Sequence, residues 1–335
     1  MRGTGVQVAP IVLRQCYNQA RGEVGPWRCG GAHPAAGMGI APAGLGRSLT
    51  TTMTIKHFFT IDVEEHFQVS AFERVVARRD WERLESRVER NVDRILEILG
   101  RHGVVGTFFV LGWVAERRPA VVRAIVEAGH EIASHGWEHR RATDLAPEEF
   151  RRDVVKAKQV LEDTSGAPVL GYRAPSFSIV PGREWAFDVL LEAGYSYDSS
   201  IFPVRRSSTY GYPGAPAAPH WIRRPAGRLL ELPMTILRRL GQNLPAAGGA
   251  YFRMLPYGLV RRALTEVADR GVPGMFYLHP WELDPGQPRF RVPLTTRLRH
   301  YTGLRRTTAR LERLLTEFEF TAIRNELEAV RARAA

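Results

Sequence analysis

From Lys56 onward the chain alternates short apolar runs with longer segments whose apolar residues recur at helical spacing. Stacked βα units around a parallel sheet produce this pattern. His57 to Ile61 (HFFTI) reads as a strand ending at Asp62. Val92, Ile95, Leu96 and Leu99 share a helical face, Gly103 stops that helix, and Gly106 to Gly112 (GTFFVLG) is the next strand. A second helical face (Val121, Val122, Ile125, Val126) closes at Gly129 before the strand EIAS (Glu131 to Ser134). The periodicity continues through Val154, Val155, Lys158 and Leu161 into VLGYR (Val169 to Arg173), then through a helix near Trp185 to Ala193 into YSYD. Two further strands are predicted at Leu229 to Met234 and Gly274 to His279, separated by a helix from Pro256 to Arg270.

About seven strands, each followed by a helix or long loop, predict an α/β fold of the closed or nearly closed (β/α) barrel kind rather than a doubly wound sheet. No glycine-rich dinucleotide turn or phosphate loop accompanies them. Ser207 to Pro225, rich in Pro and Gly and containing Trp221, reads as a long loop over one end of the barrel. Beyond Pro293, HYTGL leads into a helix with Leu304, Leu311, Leu315 and Phe318 on one face, expected to be an appendage packed on the barrel. The predicted organisation is thus a disordered leader or over-extended start at 1–52, a barrel at 53–290 and a C-terminal helical extension at 291–335.

Composition narrows the class. With 335 residues, 44% hydrophobic and 24% charged, the chain can bury a sizeable core, and no apolar run reaches membrane-spanning length. Both cysteines, Cys16 and Cys29, fall in the leader, which leaves the body without a disulfide or thiolate site. A reducing compartment is therefore expected, and the leader shows no export signal, so the expected location is cytoplasmic. The net charge of +12 favours anionic company, such as the inner face of a membrane, but no nucleic-acid motif accompanies it.

Polar residues at the C-terminal ends of barrel strands meet at one rim. Here that list is Asp62, Glu64, His135, His139, Arg173, Asp198 and His279. His135 and His139, four apart in SHGWEH, would project from one face of a helical turn and could share a metal. Asp62 and Glu64, two apart, point to the same side of an extended segment, so one could bind metal while the other takes a proton from water. Arg173 could orient a carboxylate, and His279 stands where a strand stops before Pro280.

In this order TID-V-E, SHGWEH, RAPSF, YDSS and YLHP resemble the NodB-homology polysaccharide deacetylases, which remove N-acetyl groups from amino sugars. DVEEHF and the tail HYTGLRRTTARLERLL resemble the branch associated with exopolysaccharide loci. The resemblance spans Ile55 to Phe320 and implies a distorted barrel of the NodB type. It makes Asp62 the catalytic base, held by Arg173, and His279 the general acid, oriented by Asp198. It assigns a divalent metal, zinc being the expected one, to His135, His139 and a nearby acid. Relatives carry Asp-Asp or Asp-x-Asp where this chain has Asp62-Val63-Glu64-Glu65, so Glu64 is the expected ligand with Glu65 as the alternative. A backbone N–H near Ser176 would hold the oxyanion, and Trp137, Phe177, Trp281 and Trp221 offer flat faces to sugar rings. The implied partner is an N-acetylated polysaccharide or lipid-linked oligosaccharide. The competing expectations are a hydrolase of small non-sugar amides and a carbohydrate-binding homologue that has lost its metal.

Overall fold

The computed structural model describes residues 55–334 apart from 206 and 208. The expected leader, with Cys16 and Cys29, lies outside the described residues.

Each predicted βα unit is present. In chain order the elements are β1 (His57–Val63), α1 (Val88–His102), β2 (Thr107–Val110), α2 (Gly112–Arg117), α3 (Pro119–Glu127), β3 (Glu131–Ser134), α4 (Pro147–Ser165), β4 (Gly171–Tyr172), α5 (Trp185–Glu192) and β5 (Tyr197–Asp198). The chain continues through β6 (His220–Arg224), β7 (Gly227–Glu231), β8 (Ile236–Arg239), β9 (Gln242–Pro245), α6 (Gly249–Met254), α7 (Tyr257–Ala268) and β10 (Met275–Leu278). It ends with α8 (Leu294–Tyr301), α9 (Leu304–Glu317), β11 (Phe320–Thr321) and α10 (Ile323–Arg333). Helix α1 shows why the sequence pattern was legible. Val88, Val92, Ile95 and Leu99 bury one stripe, and Gly103 ends the helix at φ 64°, a left-handed position that glycine adopts without steric cost.

The main sheet runs β10-β1-β2-β3-β4-β5-β7-β6. From β10 to β7 all pairs are parallel, and β6 adds an antiparallel edge. This sequential order is that of a β/α barrel. Among the described residues no strand pair joins β6 to β10, so the sheet is traced open at that seam.

Two sequence expectations need correction. The predicted loop 207–225 contains β6, because His220–Arg224 folds back on β7 as a hairpin. Its polar residues disguised an edge strand that is only partly buried. The C-terminal stretch 291–335 is no appendage. Strand β11 pairs with the start of β1, and Leu311, Leu314, Leu315 and Phe320 enter the main core. The backbone N–H of Ile323 also donates to Thr107 Oγ1 at 2.8 Å. The described chain accordingly falls within one compact unit, Thr52–Ala335.

Strand periodicity assigns the faces. In β1, Phe59, Ile61 and Val63 join the cluster under the helices, while Phe58 joins a second cluster on the other face with Phe109, Ala133, Met275 and Tyr277. Asp62 and Glu64 continue the Phe58 row, His135 continues the Ala133 row, and His279 continues the Met275 and Tyr277 row. Parallel pairing brings the ends of these rows to one rim.

Candidate active site

The two histidines converge without a helix. Residues 135–140 form a loop in which Gly136 has φ 76° and His139 has φ 57°. The expected helical turn is therefore wrong. The chain instead bends at residues 137–139 just beyond β3, with the His135 N–H still donating to Val110 O at 3.0 Å. The imidazoles lie 5.5 Å apart between centroids. A left-handed non-glycine residue costs on the order of 1 kcal/mol, a strain that concentrates at functional sites. The Trp137 N–H fixes this loop through Asp153 Oδ1 at 2.9 Å.

Glu64, His135 and His139 each offer a donor atom, all within 4.8 Å of one another. His135 Nδ1 lies 2.8 Å from the Arg173 carbonyl. A carbonyl only accepts, so Nδ1 carries the proton and Nε2 presents a lone pair. Glu64 Oε2 sits 3.0 Å from His139 Nε2 yet is buried without a hydrogen-bond partner. Two imidazole nitrogens and an orphaned carboxylate oxygen form a donor set that fits a divalent cation with further positions open to water and substrate. Glu65 faces elsewhere, accepting from Ser86 Oγ and from the Arg87 N–H at 3.0 Å.

The electrostatics agree with a ligand role. Burial pushes the Glu64 carboxyl up, but His139, with His279 and His135, outweighs it and holds it at about 2. Burial holds the His135 imidazole at about 4, so it is neutral near pH 7. Trp281 Nε1 donates to the other Glu64 oxygen at 3.1 Å.

Asp62 is held from behind. Arg173, fully buried, donates from Nη1 to Asp62 Oδ1 at 2.7 Å and to Thr60 Oγ1 at 2.9 Å. Its other nitrogens reach Ser199 O and Ser199 Oγ, and its guanidinium lies 4.0 Å from the Phe109 ring centroid. A guanidinium so fully bonded has one orientation. Asp62 Oδ2 lies 4.0 Å from His279 Nε2.

His279 is positioned by a residue that the sequence reading missed. Its Nδ1 lies 3.0 Å from Glu282 Oε2, and Arg253 Nε donates to Glu282 Oε1 at 2.6 Å. Burial opposes charging of the imidazole, but the Glu282 hydrogen bond and the charges of Glu282, Glu64 and Asp62 prevail and raise it to about 9. Burial also pushes Glu282 up, and Arg253 and His279 bring it down to about 2. The expected partner, Asp198, is elsewhere. Tyr197 faces the inner cluster, so strand alternation turns Asp198 to the opposite face beside its register partner Glu231. There it accepts from Ser200 Oγ at 2.6 Å, and burial raises its pKa. The signal for Glu282 was available in HPWE, a Pro at the first helical position with Glu two residues on, the arrangement that returns a carboxylate to the preceding backbone N–H.

Asp62, Glu64, His135, His139 and His279 share one cavity of about 440 Å³, which Ser176, Phe177 and Trp281 also line. Trp281 stacks on His279 with centroids 4.9 Å apart and on His300 at 4.2 Å. Ser176 Oγ bonds Ser70 Oγ at 2.8 Å, and the Phe177 N–H is engaged by Ala174 O. Trp137 does not line the cavity. Its ring packs over Gly112 and under Lys156 Nζ, 3.3 Å from the centroid, because the loop that delivers His139 turns residue 137 toward α4. Trp221 likewise stays on β6 beneath Arg228. Tyr210 and Tyr251, not anticipated, line the cavity and hydrogen-bond each other.

Comparison with known proteins follows the same lines. Residues 83–195 match the family "Polysaccharide deacetylase", and residues 199–328 match "Domain of unknown function (DUF3473)". The first contains His135, His139 and Arg173, and the second contains His279 and Glu282. Over 173 residues the chain is 24% identical to the peptidoglycan-N-acetylglucosamine deacetylase PgdA of Listeria monocytogenes, covering 49% of this chain and 36% of that protein. It is 28% identical over 148 residues to a peptidoglycan-N-acetylglucosamine deacetylase of Bacillus cereus, covering 41% and 52%. The chain thus spans about a third to a half of these relatives. A Mycobacterium smegmatis crystal structure described as a candidate polysaccharide deacetylase superposes with a TM-score of 0.56 at 21% identity, over 83% of this chain and 91% of that one, a likeness of fold. Residues 83–195 thus carry the match to the polysaccharide deacetylase family, within a chain whose fold is like that of the Mycobacterium smegmatis structure.

Proposed function

We propose that the protein is a metal-dependent N-deacetylase of amino sugars in an N-acetylated polysaccharide, of the exopolysaccharide kind or its lipid-linked precursor. The observation that carries this reading is the donor cluster of Glu64, His135 and His139 with Asp62 and His279 at the same cavity. The proposal includes zinc as the cation and the cytoplasm, at the inner membrane face, as the location.

A divalent cation in the cluster supplies Lewis acidity toward an acetyl carbonyl and lowers the pKa of water from 15.7 toward about 7. The chain's own groups handle the protons. Asp62 keeps Oδ1 on Arg173 and has Oδ2 free to take a proton from the attacking water as its oxygen bonds to the acetyl carbon. The C–N bond then breaks with a proton moving from His279 Nε2 to the amine nitrogen, giving acetate and a free amino sugar. Glu282 leaves His279 charged near pH 7, and a charged imidazole is what an amine leaving group needs.

The test is acetate release from N-acetylglucosamine oligomers, with and without chelator, for the unaltered chain and His135→Ala. The expected result is chelator-sensitive release that the variant loses. Release unchanged by both treatments, or bound oligosaccharide with neither metal nor turnover, would overturn the proposal. Turnover confined to small non-sugar amides would overturn the substrate assignment.

A further inference from the structure

Between Asp284 and Glu312 the chain contains no acid, and in that interval Arg289, Arg291, Arg297, Arg299, Arg305 and Arg306 are all exposed. The two bounding acids are already taken, Asp284 by Arg87 and Arg90 and Glu312 by Arg101. Two concavities lie in this region. One of about 500 Å³ is lined by Arg289, Arg291 and Arg297 with Phe290, Val292 and Pro293, and one of about 290 Å³ by Arg289, Arg305 and Arg306 with Tyr301 and Leu304. Each gathers three guanidinium groups, the donor geometry that matches phosphate oxygens. Helix α8 belongs to the same segment, and on one of its faces Leu294 and Leu298 are 61% and 51% exposed. Thr295, Thr296 and Arg299 of this helix line the catalytic cavity.

We propose that α8 and its flanking arginines form a docking surface for an anionic phospholipid bilayer, with lipid phosphates in the two arginine concavities and Leu294 and Leu298 inserted among the acyl chains. Each half of the pattern alone has other uses. A soluble polyanion explains the arginines but not the paired exposed leucines, and a protein partner explains the leucines but does not call for unneutralised phosphate-sized concavities. A basic, leucine-bearing helix lying in the interface uses both. Docked in this way, the protein opens its cavity beside the lipid surface, since α8 contributes to both. The proposal does not rest on the catalytic reading, because docking is measured without turnover.

The test is co-sedimentation of the full chain with vesicles of phosphatidylglycerol and phosphatidylcholine in about equal parts, against vesicles of phosphatidylcholine alone. Expected is binding to the anionic vesicles that weakens at least about tenfold between roughly 0.1 and 0.5 M salt, where screening shortens from about 10 Å to a few Å. Leu294→Asn with Leu298→Asn, and separately Arg291→Glu with Arg297→Glu, should each weaken binding by about tenfold or more while far-UV circular dichroism is unchanged. A variant that loses its fold leaves the salt and lipid series on the unaltered chain to decide. Failure to sediment with anionic vesicles, equal binding to phosphatidylcholine, or variants that bind like the unaltered chain would each overturn the proposal. So would displacement by polygalacturonate with no dependence on the leucines, which would make the surface a polysaccharide track.

Discussion

His279 Nδ1 and Glu282 Oε2 stand 3.0 Å apart, and the same carboxylate oxygen accepts the His279 backbone N–H. One side chain therefore fixes both the backbone and the ring of the residue that faces Asp62 and Glu64. Its second oxygen is anchored on Arg253, itself donating to the carbonyls of Thr302 and Arg299.

Glu282→Gln should lower kcat by about ten- to a hundredfold while KM changes less than about threefold, since Glu282 acts through His279 and not on the sugar. Glu282→Asp should recover part of the loss. Steady-state kinetics of acetate release on the two variants measures this, and a loss confined to KM would contradict the assignment.

Asp198→Asn provides the contrast. Asp198 bonds Ser200 beside Glu231 and is remote from His279 in its contacts, so kcat should stay within about threefold of the unaltered chain. A fall comparable to that of Glu282→Gln would restore the role that the family resemblance implied for it.

Glu64→Gln should weaken metal binding by about tenfold or more, because it replaces an anionic oxygen with a neutral one in the donor set. Metal content after dialysis against a graded chelator series reports this. Glu65→Gln, which disturbs only the contacts with Ser86 and Arg87, should retain the metal.

Stability should fall in mild acid. Burial lowers His57 and His130 to about 4 from 6.5, with Arg324 adding to the effect at His130. Each uses Nδ1 to accept a backbone N–H, from Gly274 at 2.9 Å and Gly106 at 3.0 Å, which only the neutral ring can do. Between pH 6.5 and 4 the unfolded chain takes up these protons and the folded chain does not, so stability present above pH 6.5 is lost as pH falls toward 4. Together the two should contribute a few kcal/mol. Urea melts across this range, compared with His57→Gln, test it.

Trp137→Ala should leave KM for oligosaccharide within about twofold but cost about 1 to 3 kcal/mol of stability, since its half-buried ring packs against Gly112 outside the cavity. Paired thermal melts and kinetics separate the two effects.

Local regularity explains what could be read from the sequence. The stripe of Val92, Ile95 and Leu99 with Gly103 behind it, and the alternation of Phe58, Thr60 and Asp62 along β1, are set by helix and strand periods that any residue in those elements obeys. Hence strands β1 to β5, β7 and β10, their order of appearance and the rim residues Asp62, Glu64, His135, His139, Arg173 and His279 were visible in the chain. Tertiary structure decided the rest. Only packing around the left-handed Gly136 and His139 turns the two imidazoles together, only the phase of β5 turns Asp198 away, and only the pairing of β11 with β1 draws the tail into the sheet. The carboxylate beside His279 is divided between the two, HPWE carrying its return to the His279 N–H and tertiary structure supplying its anchor. Its distance in sequence is short, but its partner Arg253 comes from α6, and a buried charge pair is settled by the elements that meet around it, which no single stretch of sequence contains.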